Sequence, residues 1–124
     1  MRVRCIRLVA TVGPQRGQPV EHADHLSVGD EFKVLAVLID TDAPWPILLC
    51  LDSDAGALWE PAVMFETIDG RMPSNWTASL WPDGSLHLAP EAFLRPGFWD
   101  AYSEYEQTAR ATFERERQLM LDQS

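Results

Sequence analysis

The chain has 124 residues, 46% of them hydrophobic, and its formal net charge is −9. This length fits a single domain, residues 1–124, that needs no metal or disulfide to fold, and the apolar content excludes a disordered chain. No apolar run approaches the roughly 20 residues of a membrane helix. Because Arg7 interrupts the first apolar stretch, that stretch does not fit a secretory signal, and we expect a cytoplasmic protein.

Short apolar segments separated by turn residues predict a β-rich first part, residues 1–90. Residues 10–25 are rich in Gly and Pro and predict a long loop. Residues 62–69 predict a single helical turn that continues into an extended segment. The predicted strands, in chain order, lie at residues 2–9, within 26–39 after a Gly-Asp turn, and at 47–52 and 57–61, which form a hairpin around residues 53–56.

The stretch WTASLWPDGSLHL, residues 76–88, predicts a second hairpin. Trp76, Ala78 and Leu80 alternate with polar residues, and apolar and polar residues alternate again after the turn. Pro82-Asp83-Gly84 has the composition of a tight turn, with Gly at a position where φ is positive. The tryptophans are explained first as packing residues of this hairpin.

The last part of the chain, residues 91–124, changes to helical spacing. A helix is predicted from about 97 to about 120, entered through Pro96-Gly97. Glu106 and Arg110 are spaced for an i,i+4 pair. The predicted apolar stripe consists of Phe98, Tyr102, Tyr105, Ala109, Phe113 and Met120.

These elements together predict an α+β fold: a small, strongly bent antiparallel sheet or barrel followed by one long C-terminal helix packed on it. The segment LSVGDEFKVLAVLID, residues 26–40, resembles the entry to small barrels of the Src-homology-3-like type. In those barrels a turn with leucine, glycine and an acid precedes a long bent strand.

The motifs typical of catalysis and metal binding are missing from the sequence. We find no phosphate-binding loop, no nucleophile turn and no C-x-x-C pair. His22 and His25 could bind a divalent metal, but a predicted loop does not fix both rings on one side. Cys5 and Cys50 lie in apolar segments and are predicted to be buried thiols. We therefore predict a protein that is not an enzyme and has no cofactor.

Charge is distributed unevenly along the chain. Residues 17–70 carry a net charge of −10, whereas residues 1–16 carry +4 and residues 71–124 carry −3. A strongly acidic region repels nucleic acid and anionic membranes but attracts a basic protein partner. The alternative is that acidic turns only keep the protein soluble.

Trp45 lies between two prolines in an acidic loop, where a role in the core is difficult to arrange. An exposed tryptophan among carboxylates resembles the hot spot of a protein interface. The predicted partner-binding residues, expected to form one acidic face, are Asp40, Asp42, Trp45, Asp52, Asp54 and Glu60.

Two segments, Pro73-Ser74-Asn75-Trp76 and Pro96-Gly97-Phe98-Trp99, resemble a pattern in small acidic proteins of bacterial genomes. Some proteins of this general kind are immunity proteins, which block a toxin delivered by a neighbouring cell. The resemblance implies a toxin as the partner, and the acidic charge of the chain favours a basic one. We expect the protein to be a monomer or a weak dimer. Two alternatives stay open: a ligand-binding or catalytic domain with a pocket lined by Trp81, Trp99 and Tyr102, and a self-associating module.

Overall fold

Within residues 1–123, which the computed structural model describes, an antiparallel sheet of seven strands is covered on one face by two C-terminal helices. Short 3-10 turns lie at Ala62–Met64 and Glu91–Leu94. The predicted α+β class is confirmed. The elements are β1 (Arg2–Cys5), β2 (Glu31–Ile39), β3 (Ile47–Ser53), β4 (Gly56–Pro61), β5 (Phe65–Asp69), β6 (Trp76–Leu80), β7 (Leu86–Pro90), α1 (Phe98–Ser103) and α2 (Gln107–Leu121).

Strand β2 lies at the centre of the sheet because its nine residues are enough to pair with three other strands. β3 follows one edge of β2, while β1 and β7 share the other edge, opposite its first and last residues respectively. β4, β5 and β6 lie beyond β3, β1 and β7. The strand path β4-β3-β2-β1-β5 does not close. Of the two predicted forms, the open sheet is observed and the closed barrel is not.

Both predicted hairpins are confirmed. β3 pairs with β4, and β6 pairs with β7 in the register Trp76 opposite Pro90 through Leu80 opposite Leu86. In the second turn the Gly84 N–H donates to the Trp81 carbonyl at 2.9 Å, and Gly84 adopts φ +89°. This backbone conformation suits glycine because it has no side chain to clash.

The sheet has a hydrophobic core on each face. Apolar residues of β2 contribute to both cores, and at the bulge between Val34 and Ala36 the adjacent residues Leu35 and Ala36 belong to the same core. We call the first face the loop face, because Leu8, Val9 and Leu26 of the segment between β1 and β2 cover it. The other is the helix face, covered by side chains of α1, α2 and the turn before them, including Phe93, Phe98, Tyr102, Ala109, Phe113 and Met120.

The C-terminal helical region is divided, whereas one continuous helix was expected. α1 ends at Ser103, and Tyr105 takes the left-handed conformation with φ +60°. Glu106 then caps α2, its carboxylate accepting hydrogen bonds from the N–H groups of Thr108 and Ala109. Glu106 is thus a capping residue rather than the predicted partner of Arg110. Neither helix is long and apolar enough to cross a membrane, and this holds for all of the described residues.

Candidate binding surfaces

The six predicted partner-binding residues do not share one face. Asp40, Asp42 and Trp45 lie in the β2–β3 loop, whereas Asp52 and Asp54 lie at the far end of β3. A seven-residue strand such as β3 spans about 20 Å, so the two groups are well separated. The single acidic face predicted from the sequence is therefore not formed, and each part is described separately below.

Asp52 points towards the helices. Its carboxylate accepts a hydrogen bond from Arg117 Nε of α2 at 2.8 Å, and the Asp52 side chain is only 15% exposed. Arg117 also pairs with Glu114 at 2.9 Å. Asp52 thus joins the sheet to α2 inside the protein and is not free for a partner. Asp54, in the turn that follows, is exposed.

Glu60 lies on the loop face, opposite Leu49 in the β3–β4 ladder. Together with His22, Asp24 and His25 it lines a cavity of about 330 Å³. Burial raises the pKa of Glu60, and the nearby His25 opposes this shift. Within residues 1–123, no three His, Cys, Asp or Glu side chains form a set that could hold a metal ion.

Trp45 is half-buried rather than fully exposed. Its indole Nε1 donates to the carbonyl of Thr11 at 3.1 Å, and its ring packs at the edge of the loop-face core. The remaining surface of the ring belongs to an apolar depression of about 350 Å³. We call this depression the Trp45 patch; it is lined by Trp45, Pro46, Ile47, Ala62 and Val63.

Two of the predicted acidic residues lie on the loop that adjoins the Trp45 patch. The Asp40 N–H donates to the carbonyl of the patch residue Pro46 at 2.8 Å, which places the Asp40 backbone beside the patch. The Asp40 carboxylate accepts from the Asp42 N–H at 3.1 Å, which fixes the loop. Ile47 and Val63, which sequence reasoning missed, are 43% and 45% exposed in the patch. Their apolar character resembled that of core strand residues and gave no signal of exposure.

A second apolar surface lies on the helix face, beyond the area that the helices cover. This aromatic groove has a volume of about 150 Å³, and its lining includes Leu38, Leu48, Trp59, Trp81, His87 and Trp99. Trp81 and Trp99 were predicted to line a pocket, and both do. Tyr102, predicted with them, lies elsewhere: its hydroxyl accepts a hydrogen bond from the Ala57 N–H at 3.0 Å.

The imidazole of His87 is held on two sides at the edge of this groove. Trp81 stacks on it with 4.0 Å between ring centroids. The buried Ser85 Oγ lies 3.0 Å from His87 Nε2 and donates to the Asp83 carboxylate at 2.6 Å. Burial lowers the pKa of His87, whereas the carboxylates of Asp83 and Asp40 oppose this shift. The lowered pKa favours the uncharged form of the ring.

The two cysteines are buried thiols, as predicted, and lie on opposite faces of the sheet. Cys5 belongs to the loop-face core and Cys50 to the helix-face core. Burial raises the pKa of both thiols. A raised pKa keeps a thiol protonated and poorly nucleophilic, so neither cysteine has the environment of a reactive one.

Comparison of the chain with protein families, with curated proteins and with solved structures returned no match. The resemblance to small acidic bacterial proteins stays a prediction. The function is therefore inferred from the geometry of the Trp45 patch and the aromatic groove.

Proposed function

We propose that the protein is a non-enzymatic binding protein that engages a basic protein partner through the Trp45 patch. The carboxylates of Asp40 and Asp42 meet Lys or Arg side chains of that partner. In its most concrete form, the protein is an immunity protein that neutralises a basic bacterial toxin. The observation that carries the proposal is an exposed apolar surface with a tryptophan, adjoined by a short loop that carries two acidic residues.

The physical properties of the Trp45 patch suit a protein interface. Tryptophan contributes much of the binding energy at interfaces, especially where surrounding contacts exclude water. The Thr11 hydrogen bond and the backbone bonds of Asp40 hold the loop before a partner arrives. Such preorganisation lowers the entropy lost on association. A partner that covers Ile47 and Val63 also removes apolar side chains from water.

The charge of the protein supports a basic partner over an acidic one. The chain carries a net charge of −9, and its negative charge is concentrated in residues 17–70, which include Asp40 and Asp42. Such a field increases the rate of encounter with a cationic protein and weakens as salt is added. The two acids therefore contribute mainly to the association rate, and Trp45 contributes mainly to the lifetime of the complex.

The experiment compares wild type with Trp45→Ala as baits for proteins captured at low salt from the native host. Affinity for the captured protein is then measured with purified components. We expect Trp45→Ala to weaken binding by about 2 kcal/mol, or roughly 30-fold. Ile47→Ser serves as a second variant in the patch that leaves the Thr11 hydrogen bond in place. Asp54→Asn, exposed at the far end of β3, is the matched control and should bind as wild type does.

Charge reversal at Asp40 and Asp42 tests the electrostatic part of the proposal. We expect the association rate to fall and its dependence on salt to weaken. If the Trp45 and Asp40/Asp42 variants keep wild-type affinity and salt dependence, the patch is not the interface. If the captured partner is acidic, the proposed partner class is wrong.

A further inference from the structure

The aromatic groove presents π-systems on two walls. Trp81 and His87 stack on one side, and Trp59 and Trp99 meet edge to face on the other with 5.4 Å between ring centroids. Stacking with His87 occupies one face of the Trp81 ring, and Trp81 is nevertheless 38% exposed. The part of the ring that His87 does not cover is thus available to a ligand. The face of a tryptophan ring attracts cations more strongly than that of tyrosine or phenylalanine.

The charges around the groove favour a cation. No lysine or arginine lines it among the residues that the structure describes. β2 pairs with β7 up to Ile39 opposite Leu86, so Asp40 follows directly at the end of the groove where His87 lies. The Asp83 carboxylate is on the same side, joined to His87 through Ser85. Two acidic residues therefore lie near the His87 end of the groove, and no basic side chain lines it to oppose their charge.

The lining of the groove selects the kind of cation. Apart from His87, it consists of aliphatic, phenylalanine and tryptophan side chains, and the indole N–H can only donate a hydrogen bond. A primary ammonium or a guanidinium would lose several hydrogen bonds to water there, and among the lining side chains only the His87 imidazole could replace one of them. A quaternary ammonium has no N–H groups and loses none. The groove volume of about 150 Å³ equals that of about five water molecules at roughly 30 Å³ each, which suits a head group of similar size.

We infer that the aromatic groove is a binding site for a small quaternary ammonium compound, with Trp81, Trp59 and Trp99 surrounding the methylated nitrogen. Asp40 and Asp83 supply the attractive charge. The groove and the Trp45 patch share no lining residue, and Asp40 lies between them. Binding in the groove requires no bond to be made or broken.

Choline chloride is the probe, and 3,3-dimethylbutan-1-ol, which has the same shape without the charge, is its matched control. Binding of each compound is followed by tryptophan fluorescence and by ligand-observed NMR. We expect choline to bind saturably and the neutral alcohol to bind about ten-fold more weakly. Equal binding would mean a purely apolar groove, and no saturable binding of choline would mean no cation site; either result overturns the inference.

Three variants locate the site. Trp81→Ala should weaken choline binding by at least about ten-fold, and Asp40→Asn, which keeps an oxygen for the Asp42 N–H, should weaken it several-fold. Tyr105→Ala removes an aromatic ring that is 77% exposed outside the groove, and this variant should bind choline as wild type does. If Trp81→Ala and Asp40→Asn both retain wild-type affinity, the ligand binds elsewhere. Protein capture by the Trp45 patch is measured without choline, so either proposal can fail alone.

Discussion

Gly56, at the start of β4, is the glycine at which an added side chain would meet the closest contact. It has φ +101°, and a Cβ added there would lie 2.6 Å from the Tyr102 hydroxyl. That hydroxyl accepts the Ala57 N–H, so Tyr102 cannot move away without breaking a bond between sheet and helix. We expect Gly56→Ala to lower the free energy of unfolding by about 3 kcal/mol, as measured by urea denaturation.

The Gly84→Ala variant separates two causes of this loss of stability: backbone strain and the close contact with Tyr102. Gly84 has φ +89° but no atom within 4 Å of an added Cβ, so only backbone strain remains. Its expected cost is about 1 kcal/mol. Equal losses for both alanine variants would show that the contact with Tyr102 contributes nothing.

Glu60 makes stability depend on pH in a direction opposite to that of most carboxylates. Burial raises its pKa in the folded protein above the ordinary value of 4.5. The contribution of Glu60 to the free energy of unfolding is therefore fully present below about pH 4.5, and it is lost as the pH rises through the pKa of the folded protein. We expect Glu60→Gln to be more stable than wild type at pH 7 and to lose this advantage at pH 4. Urea denaturation at the two pH values measures the difference.

The exposed Glu21 provides the control for this titration. Glu21→Gln should follow the wild-type pH dependence of unfolding. A Glu60→Gln variant whose stability relative to wild type is the same at both pH values would contradict burial as the cause.

At the scale of elements, the ion pair of Asp52 with Arg117 connects β3 to α2. Because both side chains are largely shielded from water, at 15% and 29% exposure, screening by solvent is reduced. We expect Asp52→Asn to lower the free energy of unfolding by about 1 kcal/mol and Asp54→Asn to change it by less than about 0.5 kcal/mol. Urea denaturation of both variants tests this.

A double-mutant cycle with Arg117→Met gives the coupling between β3 and α2 directly. A coupling energy of zero would mean that Asp52 and Arg117 act independently and that apolar packing alone holds α2 on the sheet.

Elements with a strong local pattern could be predicted from the sequence. The hairpin around Pro82-Asp83-Gly84 follows from alternation on both sides of a turn, and the helical turn at Ala62–Met64 was predicted as well. The division of the helix at Tyr105 could not be predicted, because helical spacing of apolar residues continues from Tyr102 to Ala109. The break between α1 and α2 depends on Glu106 as the cap of α2. From the sequence, the same residue was equally suited to an i,i+4 pair on a continuous helix.

Only the part of the candidate site whose residues are close together in the sequence could be predicted. Asp40, Asp42 and Trp45 stay together because one loop holds them. Asp52 was wrongly predicted to lie on a partner-binding face, because its role depends on Arg117, 65 residues away. The partial burial of Trp45 likewise depends on Thr11, 34 residues away. Alternation along a strand defines two faces but does not tell which distant segment will cover each of them.

At the scale of the whole molecule, the net charge of −9 opposes self-association through the exposed apolar residues of the Trp45 patch. We expect a monomer at low salt and weak dimerisation at high salt, where repulsion is screened. Sedimentation velocity at several protein concentrations measures this. Ile47→Lys, which adds charge within the patch, should stay monomeric at high salt. A dimer that is strongest at low salt would contradict this account.

The position of β1 between β2 and β5 has a consequence for how the chain acquires its structure. β1 is the first strand in chain order, yet both its edges are paired, one with a strand some 30 residues later and the other with one some 60 residues later. During synthesis the edge of β1 that faces β5 stays unpaired until residues 65–69 have left the ribosome, even after β2 has emerged. Sheets that depend on such distant pairings fold slowly, because a long loop must close before the pairing is gained. The nascent protein is therefore most vulnerable to aggregation during this interval.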